Sequence, residues 1–586
     1  MKSQNTDLLR VVGAGLILAS VGVFCFYNYT FAVDFPFMDD FMLVLFVQEY
    51  TSNGFDFLDF INKLFQSANS HKMVVPRLLA LIDYFLTGDL NFRTYQLIVT
   101  INILASIGLV YYHFRKSGLS LFHFVPFVLF LLHPQYYDIT LFGLNGIQHT
   151  SVLLFTLLGL HFLDKEKAYS LPVALAFCFL STFSHGNGYF AFCGVVFYLL
   201  ATRKYKYLLY TILYMGIILA MFLYKTNDSG MAKYPESVTL FLGSFFAFIG
   251  ATMAQSATYG NHLAIVTGFC IVVFVGGLCL QALLKTNSKK DETEKQLMFW
   301  LSFFAFILGT SLIITFLRSW SGLLIASRFQ IYAGLSIGIA YIILLIKFKR
   351  FRNPKFVSLV IFCSAIINIH SYYYFSDVVL GRKTQFIADI YNWKNNRTMF
   401  SVGKNFLDNS DYFFTPAYEN KLVLAQNPIV SEQEMSLFFD DTFSPVVSIE
   451  TELKIVKNGD YSNSVFPQSF IISNDLTPGN LPFSGMRFLI LQNSITEQKL
   501  LISAVPLKST QLQVLSGSDY YKSGFYCNVR EGDISEGEYQ IAMMDITGNE
   551  EKKFYKSGNQ YFYVSPSGEM EVMAIPSENI TEQYQE

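Results

Sequence analysis

Long apolar runs separated by short polar connections fill the chain from its start to about residue 375. Each run holds roughly 15–23 residues with almost no ionisable group, the length a helix needs to cross a bilayer core. About eleven are expected to span: 10–29, 97–113, 119–133, 150–163, 170–184, 188–202, 207–224, 262–284, 297–317, 331–347 and 356–375. A further run, 237–258, is equally apolar, but counting it as a span would reverse the sidedness of everything that follows. It reads as a helix at the outer interface or re-entering, broken near Gly250. Beyond residue 375 the pattern changes. A helical stretch, Thr384–Trp393, opens a helical or irregular connector over 376–444. From 445 to 586 short alternating runs take over (VVSIETELKIV, QSFIIS, MRFLILQ, LLISAVPL, TQLQVLS, GFYCNV, YQIAMMDI, QYFYVS), separated by Gly, Asn, Asp and Pro. That rhythm predicts an antiparallel, sandwich-like β domain.

Basic residues collect in alternate connections: Arg115-Lys116, Lys165 with Lys167, Arg203-Lys204 with Lys206, Lys285/Lys289/Lys290/Lys295, and Lys347/Lys349/Arg350/Arg352/Lys355, with Lys2 and Arg10 at the start. The positive-inside bias puts all of them in the cytoplasm if the N-terminus is inside. The expected fold is therefore a polytopic α-helical membrane protein whose first span is a retained signal anchor. It sits in the inner or plasma membrane, crosses it many times, and carries its β domain outside the cytoplasm. The outer face then holds 30–96, 134–149, 185–187, 225–261, 318–330 and the tail.

Composition agrees: 52% of residues are hydrophobic, 15% are charged and the mean hydropathy is +0.37, whereas soluble domains carry about 25% charged residues. A net charge of −2 excludes a nucleic-acid binder that relies on bulk positive charge. Six of the seven cysteines lie in expected spans, which leaves Cys527 with no intramolecular disulfide partner in the tail. The tail shows no nucleophile elbow, phosphate loop or metal-ligand cluster, so an accessory role is expected of it.

Candidate chemistry lies in the outer loops. Asp39-Asp40 follow the first span by about ten residues, in DFPFMDDFMLVLF. One such Asp is explained by the start of a helix. Two adjacent carboxylates among Phe and Met at membrane depth are costly to desolvate without a cationic partner, and they are the candidate catalytic residues. The first loop is amphipathic, with Phe35, Phe37, Phe41, Phe46, Phe55, Phe57, Phe60 and Phe65 spaced for helices along the outer leaflet. It also carries His71-Lys72 and Arg77. With Lys225, Arg318 and Arg328 these suit a phosphate leaving group, although a lone Lys or Arg at a span end commonly snorkels to headgroups. His149, His185 and Tyr234 lie on the same side as candidate substrate-binding residues.

A double acid just after the first span, an amphipathic first loop, many spans and an outer tail together resemble the GT-C superfamily of integral-membrane glycosyltransferases. The layout is similar to that of bacterial polyprenyl-phosphate-sugar-dependent members that modify cell-surface glycans, teichoic acids or lipids. Asp39 and Asp40 match the acidic motif at the start of the first external loop, and SHKMVVPRLL stands where related members carry a His–basic pair followed by an Arg. The resemblance implies a lipid-phosphate-linked sugar as donor, an extracytoplasmic glycan, lipid or polymer as acceptor, and single displacement with inversion. Asp39 or Asp40 would act as base, and Lys72, Arg77 and Arg328 with Lys225 or Arg318 would meet the phosphate. Some members hold a divalent metal through such acids; spacing shows no third ligand beside Asp39-Asp40, so no metal is assigned and metal-independent chemistry is expected. The alternatives are a lipid-diphosphate-dependent polymerase or ligase, which would carry its dominant outer loop late among the spans, a transporter, or a non-enzymatic assembly protein. A transporter is disfavoured because span interiors lack paired ionisable residues.

Overall fold

The computed structural model describes residues 2–52, 56–69, 71–226, 233–255, 258–285, 292–439, 447–449, 453–458, 469–475, 477, 481–547 and 551–574. They form two compact units: Met1–Ala32 with Met42–Phe375, and Val33–Phe41 with Ser376–Glu586.

The first unit is helical. After α1 (Lys2–Phe31), the loop region holds α2 (Phe41–Ser52), α3 (Phe57–Leu64), a short ribbon of β1 (Ser67–Ala68) and β2 (His71–Lys72), and α4 (Val74–Thr87). There follow α5 (Phe92–Arg115), α6 (Val125–Leu131), α7 (Tyr137–Thr140), α8 (Gly143–Leu163), α9 (Ser170–Thr182), α10 (Ala191–Ala201), α11 (Tyr205–Leu223), α12 (Val238–Gly250), α13 (Gly260–Ile271), α14 (Gly277–Leu284), α15 (Glu292–Arg318), α16 (Gln330–Lys347) and α17 (Pro354–Asn396). Among the described residues, eight helices are long and apolar enough to cross a membrane, which marks a membrane-embedded protein. Three of the expected spans are shorter than that. Residues 119–133 become a turn over Leu121–Phe124 followed by the seven residues of α6. α9 has thirteen residues and α10 eleven. At 1.5 Å per residue α9 reaches about 20 Å, against a hydrocarbon core of about 30 Å. Pro126 and Pro134 punctuate the first of these spans, and the glycines of SHGNG punctuate the approach to α10.

Polar bonds sort the connections into two ends. At one, Lys116 donates to Asp164 (2.7 Å) and Lys204 to Glu166 (2.6 Å), while Lys285 pairs with Glu294. There too Arg203 Nη2 donates to the Leu283 and Lys285 carbonyls, Gln296 to Lys116 O, and His123 Nε2 lies 3.1 Å from Arg352 O. At the other, Val75 N donates to Phe183 O (3.2 Å), Lys233 N to Leu317 O (3.3 Å), Ser327 Oγ to Gln135 O (2.8 Å) and Gln135 Nε2 to Ala251 O (2.7 Å). These are the two groups of connections that the alternation of basic residues separates. α12 touches the second group at its middle and just past its C-terminal end, since Ser244 Oγ donates to Gly322 O while Ala251 O accepts from Gln135. It returns against α13 without room for side chains: a Cβ on Gly250 would lie 2.0 Å from Ala264 O, and one on Gly268 1.9 Å from Phe246 O.

The apolar first loop is only partly a lipid-facing surface. Phe35, Phe41 and Phe46 are buried. Among the described residues, the exposed apolar side chains are instead Phe57 and Leu58 on α3 and Leu78, Ile82, Phe85 and Leu86 on α4; Phe55 lies outside the described residues.

In the second unit α17 continues unbroken past the apolar stretch, followed by α18 (Lys404–Glu419) and α19 (Glu432–Phe439), with irregular chain between them. The strands are β3 (Val447–Ile449), β4 (Lys454–Asn458), β5 (Ser469–Asn474), β6 (Met486–Asn493), β7 (Lys499–Ser503), β8 (Val505–Lys508), β9 (Tyr521–Arg530), β10 (Gly537–Ile546), β11 (Lys552–Val564) and β12 (Met570–Ala574). One sheet runs β12-β11-β10-β6-β7 with β3 on β11, the other β4-β5-β9-β8. Their facing side chains, among them Phe470, Ile472, Leu489, Leu491, Phe525, Val529, Ile541 and Phe562, form one core, which makes the expected sandwich. The larger sheet is buried on its other face as well: Asn392 exchanges bonds with the Leu501 backbone (2.7 and 2.8 Å), and Phe438 packs on Phe554. This is why β6 is almost continuously buried rather than alternating. One expected strand is not a strand. TQLQVLS contains α20 (Gln511–Leu515), because Thr510 and Gln513 cap it reciprocally. Residues 446 and 450–452 of the first expected run lie outside the described residues.

Candidate functional site

Three histidines from three separate connections meet in the membrane unit. His71 is carried by β2, which pairs with β1 through Ala68↔His71. His185 sits in extended conformation between α9 and the turn Gly186–Phe190. His149 lies two turns into α8. Ring centroids are 4.1 Å apart for His71–His185 and 4.7 Å for His149–His185. The approach needs Gly186, since a Cβ there would come within 2.8 Å of His71 Nδ1.

Two residues that the sequence reading missed complete the cluster. Asn187 Nδ2 donates to Tyr332 OH (2.7 Å), and its Oδ1 lies 2.6 Å from His185 Nδ1. Tyr332 OH in turn lies 3.1 Å from His149 Nδ1. The amide nitrogen is committed to Tyr332, so its oxygen accepts, and His185 carries its proton on Nδ1, leaving Nε2 as an acceptor. The Asn187 backbone N–H, at 3.4 Å from the same nitrogen, is too distant to compete. Tyr332 OH accepts from Asn187 and shares a hydrogen bond with His149 Nδ1. The Asn187 part was legible, since Asn187 follows His185 by two residues.

Arg318, at the end of α15, and Arg328, in the turn Ser327–Phe329, supply positive charge. Burial holds the His71 imidazole well below its ordinary range, helped by His185 and by the Arg318 charge. His185 is pushed down to about 4 by burial, with Arg328 and Arg318 adding to the effect against its bond to Asn187. The site therefore combines neutral imidazoles with permanent guanidinium charge. That combination suits an anion with hydroxyl groups. His71 Nδ1 is buried without a hydrogen-bond partner.

Of the expected residues, the structure brings together His71, His149 and His185; the charges of Arg318 and Arg328 act on His185, and Arg328 itself is exposed over the Phe329 ring. Lys72 is buried and donates to Tyr224 O (2.6 Å), at the end of α11. Arg77 Nη1 donates to Leu64 O (3.0 Å) and Gln66 O (2.6 Å), and the guanidinium lies over the Phe46 ring, so it braces the loop before β1. Lys225 is exposed over the Tyr224 ring, and Tyr234 is exposed beside Phe316.

Asp39 and Asp40 belong to the second unit. They lie in a turn, Met38–Asp40, that runs into α2, and Met38 before them has φ +48, a region that costs a non-glycine residue energy. Asp40 is buried and its Oδ2 accepts from Phe37 N (3.0 Å); Asp39 is exposed. Helix-start capping thus accounts for Asp40 and leaves Asp39 facing outward. Flanking aromatics fix the turn: Phe35 stacks on Phe386 (4.8 Å) and Phe41 on Phe414 (4.5 Å). Among the described residues no group of three or more His, Cys, Asp and Glu side chains is arranged to hold a metal ion.

Comparison of the chain with protein-family models, with curated proteins and with solved structures finds no match.

Proposed function

We propose that the chain is an integral-membrane glycosyltransferase of the GT-C kind, moving a sugar from a polyprenyl-phosphate donor to an extracytoplasmic glycan, lipid or polymer. In this reading the protein crosses the inner or plasma membrane eleven times from a cytoplasmic N-terminus, and the histidine end of the bundle faces outward. The observation that carries it is the convergence of His71, His149 and His185, on which the charges of Arg318 and Arg328 act, at the end of the bundle opposite the ion-paired basic connections. The acceptor hydroxyl oxygen bonds to the anomeric carbon as the bond from that carbon to the phosphate oxygen breaks. The proton passes to a carboxylate base, the role that the resemblance gives to Asp39 or Asp40, and the polyprenyl phosphate departs with the bonding pair. Arg318 and Arg328 meet the charge that develops on it.

The test is turnover of polyprenyl-phosphate-linked sugars by protein reconstituted in vesicles. Asp39→Asn is expected to lower kcat/KM by about 10²–10⁴-fold, the range of a lost general base, and Asp40→Asn to act mainly on folded yield. Near-normal turnover in both variants overturns the base assignment. Turnover only with lipid-diphosphate donors replaces this reading with that of a polymerase or ligase.

A further inference from the structure

The apolar part of α17 ends in Tyr372-Tyr373-Tyr374-Phe375, a run of aromatics of the kind that marks the boundary between hydrocarbon and headgroups. The next two residues hold the tail. Ser376 Oγ lies 2.6 Å from Tyr520 OH, and Asp377 pairs with Lys508 Nζ at 2.9 Å. Lys508 and Tyr520 bracket a closed excursion of the chain. Ser509 seals its base, its N–H donating to Tyr520 O (2.8 Å) and its hydroxyl to Asp519 O (2.7 Å). The excursion, Ser509–Ser518, carries no charged residue, and its one helix, α20, is fixed by the Thr510–Gln513 caps. Leu512 and Leu515 are 79% and 84% exposed. Three residues apart, they share a helix face. Phe483, partly exposed, lies 5.1 Å from the Tyr520 ring and widens the apolar surface.

We propose that this excursion is a lipid-contacting tip: Leu512 and Leu515 insert into the interfacial layer of the bilayer that surrounds the foot of α17. The occupant follows from position. The base of the tip is bonded to the first residues beyond the aromatic run, so an uncharged, capped helix presenting two leucines stands at headgroup level, where apolar side chains are stabilised by shallow burial. An equally apolar residue at the other end of the sandwich provides contrast. α17 climbs along β7, with Gly381 O accepting from Ser503 Oγ, Asn392 bonded to Leu501 and Asn396 to Lys499 O. Ile495, 86% exposed in the turn before β7, therefore lies at the end of the sandwich away from Ser376, and Ser376 to Asn396 alone spans about 30 Å of helix. The proposal needs only a bilayer around the apolar helices and is independent of the transferase reading.

Leu512→Trp, Leu515→Trp and Ile495→Trp in the full chain, reconstituted in phosphatidylcholine vesicles, separate the cases once the wild-type emission of Trp300, Trp320 and Trp393 is subtracted. The added emission of Leu512→Trp and Leu515→Trp is expected to be blue-shifted, lost on replacing the lipid with a chain-brominated phosphatidylcholine, and insensitive to aqueous iodide. Ile495→Trp should behave in the opposite way. Iodide quenching of Leu512→Trp to the extent seen at Ile495→Trp overturns the proposal. So does a blue-shifted emission that neither quencher reaches, which would mean that protein covers the tip.

Discussion

The two ends of the membrane unit handle charge in opposite ways. At the end gathering Lys116, Lys204 and Lys285, each lysine meets a carboxylate: Asp164, Glu166 and Glu294. Charge there is cancelled locally, and the remaining donors close backbone carbonyls such as Leu283 O and Lys285 O. At the other end, the charges acting on His71 and His185 are those of Arg318 and Arg328, and the groups facing them are imidazoles that burial keeps neutral. The first arrangement is complete as it stands and explains a stable set of connections. In the proposed reading, the second places the charges of Arg318 and Arg328 near hydrogen-bonding imidazoles, an arrangement suited to a bound anion.

The sharpest way to break that contrast is to remove the charge from the histidine end. In the variant Arg318→Ala/Arg328→Ala, kcat/KM for a polyprenyl-phosphate-linked sugar is expected to fall about 10³-fold or more, as for loss of charge-assisted bonds to a departing phosphate. Arg318→Lys and Arg328→Lys should recover only part of this, because an ammonium cannot reproduce the forked donor geometry. Wild-type turnover in the double alanine variant, with wild-type protein yield, would remove phosphate from the description of this end.

Much of this was legible in the residues, and the failures have physical causes. The alternation of Lys and Arg separated the two groups of connections because positive charge at the ends of apolar helices is sorted during insertion. His71, His149, His185, Arg318 and Arg328 were found by asking which polar groups lie in the outer loops. Tyr332 was missed because its partners, Asn187 and His149, lie 145 and 183 residues away in sequence, which no local pattern records. Lys72 and Arg77 were read as phosphate ligands from their charge and their place in SHKMVVPRLL; in the structure Lys72 Nζ donates to Tyr224 O and Arg77 Nη1 to Leu64 O and Gln66 O, contacts that no local pattern records. TQLQVLS shows the same limit from the other side. Its alternation is that of a strand, and one Thr–Gln capping pair turns it into a helix.

A finer probe asks whether the neutral, oriented state of the histidines matters or only the charge beside them. Tyr332→Phe removes the hydroxyl that receives Asn187 and meets His149, and should cost about 10-fold in kcat/KM, about the net value of one buried hydrogen bond. Its pH profile is the more telling readout. His185 stays neutral down to about pH 4 in the unliganded site, so the histidine contribution to phosphate affinity should be flat from pH 8 to pH 6. Bound phosphate opposes the arginine charge and raises the imidazole pKa. Affinity then increases as pH falls through that raised value, with proton uptake on binding. Affinity that instead falls on acidification means that the imidazoles do not face the anion.

The smallest expected effect lies at the paired end, and it completes the contrast. Lys116 and Asp164 are partly exposed (side chains 43% and 21%) at 2.7 Å. An ion pair so placed gains little Coulomb energy in a high dielectric and orders two side chains, so Lys116→Ala should change stability by about 1 kcal/mol or less. What remains should vanish as salt shortens the screening length, since about 1 M salt reduces it to about 3 Å. Kd for the lipid phosphate should stay at its wild-type value, because Lys116 is closed by Asp164 and by the Tyr112 ring beneath its ammonium (5.3 Å). A loss of phosphate affinity in Lys116→Ala comparable to that in Arg328→Ala would show that the two ends share one electrostatic task, and the distinction between a closed end and a receptive one would have to be given up.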